Sequence, residues 1–301
     1  MKKIAVVGSL NMDVVIETPH MPECGETISG KNVTMVPGGK GANQAYAVGK
    51  LGGDVTMIGA VGMDASGKAL IDNLKSVNVN VSGIRQLDNS VTGQAFITVD
   101  DNGDNAIIII AGSNGLVTKK LIDENAEIIR ESDIVIMQLE IPLDVVEYVK
   151  EFAIREGKTV IVDPAPAVSN IPDKFWKGID YIKPNETELA ILTGLKMETR
   201  GELAQGARVM IEKGVKNVIV TLGGEGCLLV TEEKEEFFPS YKVKAIDTTA
   251  AGDSFTAAFA LALSQGADYK EAIRLGQKVS SIAVTRKGAQ TSIPSMEEVQ
   301  R

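Results

Sequence analysis

Residues Ile134–Pro164 read IVIMQLEIPLDVVEYVKEFAIREGKTVIVDP, and this stretch decides the fold class. It opens on a short apolar run, Ile134–Leu139, without the alternation of a strand that has one wet face. An amphipathic segment, Val145–Arg155, follows. A second β-branched run, Thr159–Val162, closes it. Strand, helix, strand in that order predicts parallel neighbours joined by a right-handed crossover, with the sheet buried on both faces.

The same alternation extends in both directions. Toward the N-terminus lie strands Lys3–Val7 and Val55–Val61, with helices at Gly41–Leu51 and Lys68–Ser76. Toward the C-terminus lie strands Tyr181–Ile182 and Val218–Leu222, with helices at Glu186–Thr193 and Gly201–Glu212. Two helices, Gly252–Ser264 and Tyr269–Val284, end the pattern. The first is almost wholly apolar (Phe255, Ala257, Ala258, Phe259, Leu261, Leu263), which predicts burial all round. The fold class is α/β: a doubly wound, mainly parallel sheet flanked by helices.

Two stretches break the rhythm. Val14–Val36 and Gly93–Ile110 read as alternating β segments, with a turn at Asp101–Asp104, and neither is followed promptly by a helix. They pair into one small sheet or stand as two surface hairpins. We take the first alternative, a discontinuous lid over about 14–36 and 93–110 on a single α/β domain spanning 1–301.

The composition excludes several classes. With 44% hydrophobic and 24% charged residues the chain is an ordinary globular one, so disorder and coiled coil are set aside. Its 31 basic residues, against 40 acidic ones, are scattered, and a net charge of −9 argues against nucleic acid. No apolar run approaches a membrane span, and MKKIAVVGSLNMD turns polar too soon for a signal peptide. Two cysteines, Cys24 and Cys227, cannot build a disulfide framework, and one histidine, His20, cannot build a His-rich metal site. A cytoplasmic protein, with no membrane partner, is expected.

Ligands of open parallel sheets bind where strands end. After the first strand, Gly8-Ser9-Leu10-Asn11-Met12-Asp13 sets an amide and a carboxylate two residues apart, on one side of an extended segment. That pair suits vicinal hydroxyls, or closes a turn. Pro37-Gly38-Gly39-Lys40-Gly41-Ala42-Asn43-Gln44-Ala45 looks like a phosphate loop but fails: Gly41 stands where a Walker motif needs Ser or Thr, and Gln44 where a dinucleotide fingerprint needs Gly. What remains is backbone able to approach a small ligand, with Asn43 in the first helical turn, or a plain glycine-rich loop. Thr221-Leu222-Gly223-Gly224-Glu225-Gly226 joins two strands as a β-turn, or as a surface for a nucleotide.

Asp247-Thr248-Thr249-Ala250-Ala251-Gly252-Asp253-Ser254 carries most weight, because it opens the apolar helix. Small residues there would expose the N–H groups of Ala251, Gly252 and Asp253 as an anion site backed by the helix dipole. Asp253 in the first turn is a reactive carboxylate or simply a helix-stabilising one. Asn185 and Glu188, three apart, would address a hydrated magnesium ion or form an N-cap with an exposed Glu.

In this order the clusters resemble the ribokinase-like (PfkB) family of sugar kinases across essentially the whole chain. GGKGANQA at Gly38–Ala45 is similar to the family's first signature and DTTAAGDSF at Asp247–Phe255 to its second. Gly8–Asp13, Ala111-Gly112-Ser113-Asn114 and AVTRKGAQTSIP (Ala283–Pro294) resemble the ribose-specific branch, although Ser113 stands where that branch commonly has Ala.

The resemblance implies ATP-dependent phosphorylation of the 5-hydroxyl of D-ribose. Another small sugar or nucleoside (deoxyribose, fructose, adenosine), or silent binding, are the alternatives. It implies sugar contacts by Asn11, Asp13, Gly39, Lys40, Asn43 and Glu140, with Asp253 as base and Ala250, Ala251 and Gly252 as anion hole. Asn185, Thr221, Gly223, Gly224 and Gly226 would line the nucleotide site with Gly252, and Gln277 would lie near the adenine. Mg2+ is implied at Asn185 and Glu188 through water, and K+ around Asp247, Thr249, Ala283, Arg286, Gly288 and Ser292, largely through backbone oxygens. A homodimer formed through the lids is implied as well.

Overall fold

A computed structural model describes residues 2–301. The quoted stretch folds as expected: strand Ile134–Met137, helix Leu143–Arg155 and strand Thr159–Val162, the two strands paired in parallel from Ile134 opposite Thr159 to Met137 opposite Val162. They sit inside a nine-stranded sheet. In spatial order its strands are Glu235–Pro239, Gly226–Thr231, Asn217–Thr221, Tyr181–Ile182, Thr159–Val162, Ile134–Met137, Ile4–Val7, Val55–Gly62 and Asn80–Leu87. The seven from Asn217–Thr221 to Asn80–Leu87 are parallel, and the first two join antiparallel as hairpins.

Alternation along the strands shows why their sequences lack a polar face. Val135 and Met137 pack into one core with Phe175 and Trp176, whereas Ile134 and Ile136 pack into a second with Phe255 and Phe259. Both faces are covered by helices, so both need apolar side chains. The helix Ala251–Ser264 is buried except at Ala251, Gly252 and Leu263, as its composition predicts.

The second sheet has four strands in the order Asn32–Gly38, Asn11–Glu17, Gly93–Val99 and Asn105–Ile110. Parallel pairing of Asn11–Glu17 with Gly93–Val99 makes one sheet of what would otherwise be two hairpins. Two expectations need correction. The sheet begins at Asn11 and its second strand ends at Gly38, so it is wider than 14–36. A helix also follows that second strand at once, from Lys40 to Lys50. Asn11 and Asp13 therefore belong to the small sheet itself.

From the strand Ile4–Val7 the chain winds outward to Val55–Gly62 and Asn80–Leu87. It then returns to Ile134–Met137 on the other flank and winds the opposite way. The crevice of a doubly wound sheet opens at this reversal, beyond the carboxyl ends of the two central strands. Gly8–Leu10 and Gln138–Glu140 meet there. Among the described residues no helix is long and apolar enough to cross a membrane.

Candidate active site

At the reversal, Ser9 donates its hydroxyl to Glu140, which also accepts the Lys40 N–H at 3.0 Å. The glycines of Gly38–Gly41 serve this packing. Gly39 has φ +86°, and a Cβ on it would stand 2.6 Å from the Asn11 nitrogen. A Cβ on Gly38 would stand 2.1 Å from an Asp13 carboxylate oxygen. Close approach in this loop is therefore to the chain's own backbone and to Asp13, and Gly39 acts by letting Asn11 and Lys40 come together.

Asn11 accepts from Asn114 Nδ2 at 2.7 Å, and Asn114 is in turn fixed to Leu10 N–H and C=O at 2.9 and 3.1 Å. The Asn11 amide N–H2 has no partner among the described residues. Asp13, on the same face two residues on, is pushed up to about 7 by burial, and then by the charges of Glu140 and Asp253. Glu140 is likewise raised, chiefly by burial. Acidic side chains crowded into a half-dry pocket form an acceptor-rich site of the kind polyols bind.

Asp253 is only 5% exposed, and both of its carboxylate oxygens are held. Asn43 Nδ2 donates to Oδ2 at 2.9 Å and Gln44 Nε2 to Oδ1 at 3.0 Å. Asn43 is itself oriented by Gln290 Nε2, 3.0 Å from its Oδ1. Burial raises Asp253 above the usual carboxylate range, opposed by Lys40. Burial disfavours the Lys40 ammonium, but the charges of Asp253, Asp163, Glu140 and Glu188 outweigh it and keep Lys40 charged well above its ordinary range.

Asp253 is not sealed away from solvent. Together with Lys40 it lines a cleft of about 620 Å³ that also takes in Asn185, Glu188, Thr221, Gly223, Gly224, Gly226, Ala250, Ala251, Gly252 and Gln277. Every residue expected to face a nucleotide is thus gathered in one hollow. Lys40 and Asp253 also adjoin the group of Asn43, Glu140 and Asp13: Asn43 donates to Asp253, Glu140 accepts the Lys40 N–H, and the charges of Glu140 and Asp253 act on Asp13. A hollow of about 850 Å³ at the opposite end of the sheet has its basic groups engaged: Arg208 by Glu235, Lys216 by Asp180 and Lys234 by Tyr269.

The start of the helix Ala251–Ser264 is built by Ala250, at φ +59° and without a side-chain cap. This turn brings the Ala251 N–H back to Thr248 C=O at 3.2 Å. Ala251 is therefore not one of the open amides; among the described residues those of Gly252 and Asp253 have no protein partner. Asn185 and Glu188 do form the capping box, Asn185 Oδ1 accepting Glu188 N–H at 2.8 Å and Glu188 Oε2 accepting Asn185 N–H at 2.9 Å. Both still line the cleft, and burial raises Glu188. Gln277 donates to Phe238 C=O at 2.9 Å, which leaves its carbonyl oxygen free.

Behind the helix start, Asp247 Oδ1 accepts the Thr249 N–H at 2.9 Å and the Thr249 hydroxyl, and Oδ2 accepts Gly288 N–H at 2.8 Å. These bonds hold Asp247 below its ordinary range despite partial burial. The segments around 247–249 and 283–292 are thereby drawn together. Arg286 turns its side chain to Glu298 at 2.7 Å, and Ser292 donates to Ala289 C=O at 2.8 Å. Ala283 C=O accepts Arg286 N–H at 3.0 Å.

Sequence reasoning missed Gln44, Asp163, Lys183 and Gln290 as site residues. Asp163 and Lys183 directly follow the strands Thr159–Val162 and Tyr181–Ile182, so the strand-end rule could have found them. The two glutamines carry no local signal.

The model of the pfkB family carbohydrate kinases matches residues 1–296. A curated ribokinase of Haemophilus influenzae is 38% identical over 99% of this chain and 97% of its own length. A deoxyribokinase of Salmonella typhi is 37% identical over 98% of this chain and 96% of its own. The structure of Arabidopsis thaliana ribokinase complexed with ribose and ATP superposes with a TM-score of 0.94 at 36% identity, covering 99% of this chain and 97% of that one.

Proposed function

This chain belongs to the pfkB family of carbohydrate kinases, and we propose that it phosphorylates ribose with ATP, with Asp253 as the base that receives the proton of the 5-hydroxyl. One observation carries the assignment of parts. The Asp253 carboxylate, the Lys40 ammonium and the open amides of Gly252 and Asp253 line one glycine-walled cleft, at the side where the acceptor-rich group of Asp13, Asn43 and Glu140 adjoins it. Sugar at that group and triphosphate in the cleft would meet at that junction.

Phosphoryl transfer passes through a loose transition state, so alignment and charge stabilisation do most of the work. Asn43 and Gln44 aim the two oxygens of Asp253 and leave the carboxylate no freedom to swing away. As the new O–P bond forms, the hydroxyl acidifies and a carboxylate with raised proton affinity can accept its proton. The open amides, with the helix dipole behind them, receive charge on the transferring group.

For magnesium, the donor set fits an ion carried by the nucleotide. Glu188 keeps Oε1 free, and among the described residues no three acidic, His or Cys side chains gather to hold a metal on their own. Bound there through water by Glu188 and Asn185, magnesium would neutralise phosphate charge. The joined segments 247–249 and 283–292 fit a monovalent cation through oxygens of Asp247, Thr249, Ala283, Gly288 and Ser292. Arg286 would contribute only backbone, since its side chain is turned to Glu298. That ion would brace the loops framing the helix start.

The small sheet acts in this reading as a lid that keeps water from the reacting groups. Its outer face is apolar and unpartnered. By register Val14, Met35, Phe96 and Ile108 stand side by side, with Met35 and Ile108 56% and 66% exposed. A second copy of the chain covers it in our reading. Ile108→Lys should then convert a dimer to a monomer in sedimentation velocity, and a wild type that is already monomeric would end the idea. The cysteines are unpaired, Cys24 exposed and Cys227 buried, which suits the cytoplasm.

The deciding experiment is a coupled ADP-release assay over ribose, deoxyribose, fructose and adenosine. Ribose should give the highest kcat/KM. A preference for deoxyribose would transfer the assignment to the relatives of that name, and ADP release with no sugar at all would remove it.

A further inference from the structure

We propose that Lys183 is a catalytic residue that places its ammonium against the oxygens of the transferring phosphoryl group, with Asp163 and Gln44 as the residues that position it; this rests on the kinase reading above. Lys183 is 5% exposed, yet it lines the nucleotide cleft beside Gly252 and Asp253. A Cβ built on Gly252 would lie 3.0 Å from Lys183 Nζ, so the ammonium stands beside the helix start at Gly252. A lysine and a helix N-terminus are both positive, and bringing them together in a dry site is unfavourable unless an anion lies between them. The chain supplies only part of that anion. Asp163 Oδ1 is 3.3 Å from Nζ and makes no hydrogen bond.

A bulky apolar pair would pack as well without the desolvation cost of two buried charges, so stability alone does not account for this ion pair. Its attachments point to the reaction. Gln44 Nε2 donates at once to Asp163 Oδ2, at 2.9 Å, and to Asp253 Oδ1, at 3.0 Å. Gln138 donates to Gln44 Oε1 at 2.6 Å, which fixes the amide so that both of its hydrogens point at the two carboxylates. One amide nitrogen thereby sets the spacing between the base and the anchor of the lysine.

In the transfer step the sugar oxygen forms its bond to the terminal phosphorus while the bond to the bridging oxygen breaks. The hydroxyl proton passes to Asp253, and ADP departs with the electron pair. Lys183 exchanges no proton. It meets charge on the non-bridging oxygens that the amides alone would share.

The test compares wild type, Lys183→Met and Lys183→Arg. Removing one preorganised donor of this type lowers kcat by about 100- to 1,000-fold. Lys183→Met should do so with ribose KM and AMP-PNP affinity nearly unchanged. Ribose with ADP and aluminium fluoride, a mimic of the transferring group, should bind more weakly by a similar factor, and Lys183→Arg should recover part of kcat. If Lys183→Met fails to fold because Asp163 is left bare, the double variant with Asp163→Asn removes both charges and should fold, still with low kcat. A folded single or double variant with kcat within about threefold of wild type overturns the role of Lys183 while leaving the kinase reading intact. A wild type inert on every sugar overturns both.

Discussion

Asp253→Asn should lower kcat by about 1,000-fold while ribose still binds, because a positioned base contributes roughly 100- to 10,000-fold and the amide replacing it has almost no proton affinity. The substitution is nearly isosteric. Asn43 Nδ2 and Gln44 Nε2 each donate to this side chain, so one will face an amide N–H2 in the variant and must turn. A small loss of stability is expected for that reason, about 1–3 kcal/mol for one buried bond left unmade. Steady-state kinetics and a calorimetric ribose titration separate the two effects. Turnover near the wild-type level would remove Asp253 from the chemistry and would leave the convergence of carboxylate and open amides without a purpose.

Asp13→Ala should act on the other side of the ledger, raising ribose KM about 100-fold or more with a lesser effect on kcat. A carboxylate accepting two hydroxyl protons makes two charge-assisted bonds, each contributing about 1.5–3 kcal/mol. Unchanged affinity would place the sugar elsewhere. The same residue predicts a pH signature. Folded, Asp13 takes up its proton at about 7 against 3.8 for the ordinary group. The folded state therefore binds this proton more tightly than the unfolded chain does, and the associated stability is present at low pH and lost as pH rises from about 4 toward 7. Glu140 and Asp253, also raised, act with the same sign. On this assignment ribose binds the ionised form, so its affinity should rise through the same window. Melting curves of the sugar-free protein and ribose titrations from pH 5 to 8 should thus slope in opposite directions, and Asp13→Asn should make both shallower, the melting slope keeping the share of Glu140 and Asp253. Parallel slopes would refute the assignment.

Much of this was legible in the chain. Runs such as Ile134–Met137 and Val160–Val162, apolar at every position, announce strands covered on both faces, and the amphipathic segment between them announces the crossover. The helix beginning at Ala251 declares its burial in the same way. Apolar burial is set by the side chains of one segment at a time, so a linear reading recovers it. The strand-end loops, which line the cleft, followed from the same logic.

Other features have no local signature. Whether Val14–Val36 and Gly93–Ile110 form one sheet depends on the parallel pairing of Asn11–Glu17 with Gly93–Val99, segments separated by some 75 positions that only the tertiary fold brings together. The fate of the Ala251 amide depended on one backbone angle at Ala250. Gln44, Gln138, Asp163, Lys183 and Gln290 are each unremarkable in sequence. They come together because three strand ends, after Met137, Val162 and Ile182, converge on the starts of the helices Lys40–Lys50 and Ala251–Ser264, and because buried hydrogen-bonding groups there must find partners from distant segments. Sequence by itself determined the layers, the position of the cleft and the chemical class. Tertiary structure decided which amides stay open, which carboxylates crowd one another and which lysines line the cleft, since distance, charge and water exclusion are properties of the assembled site.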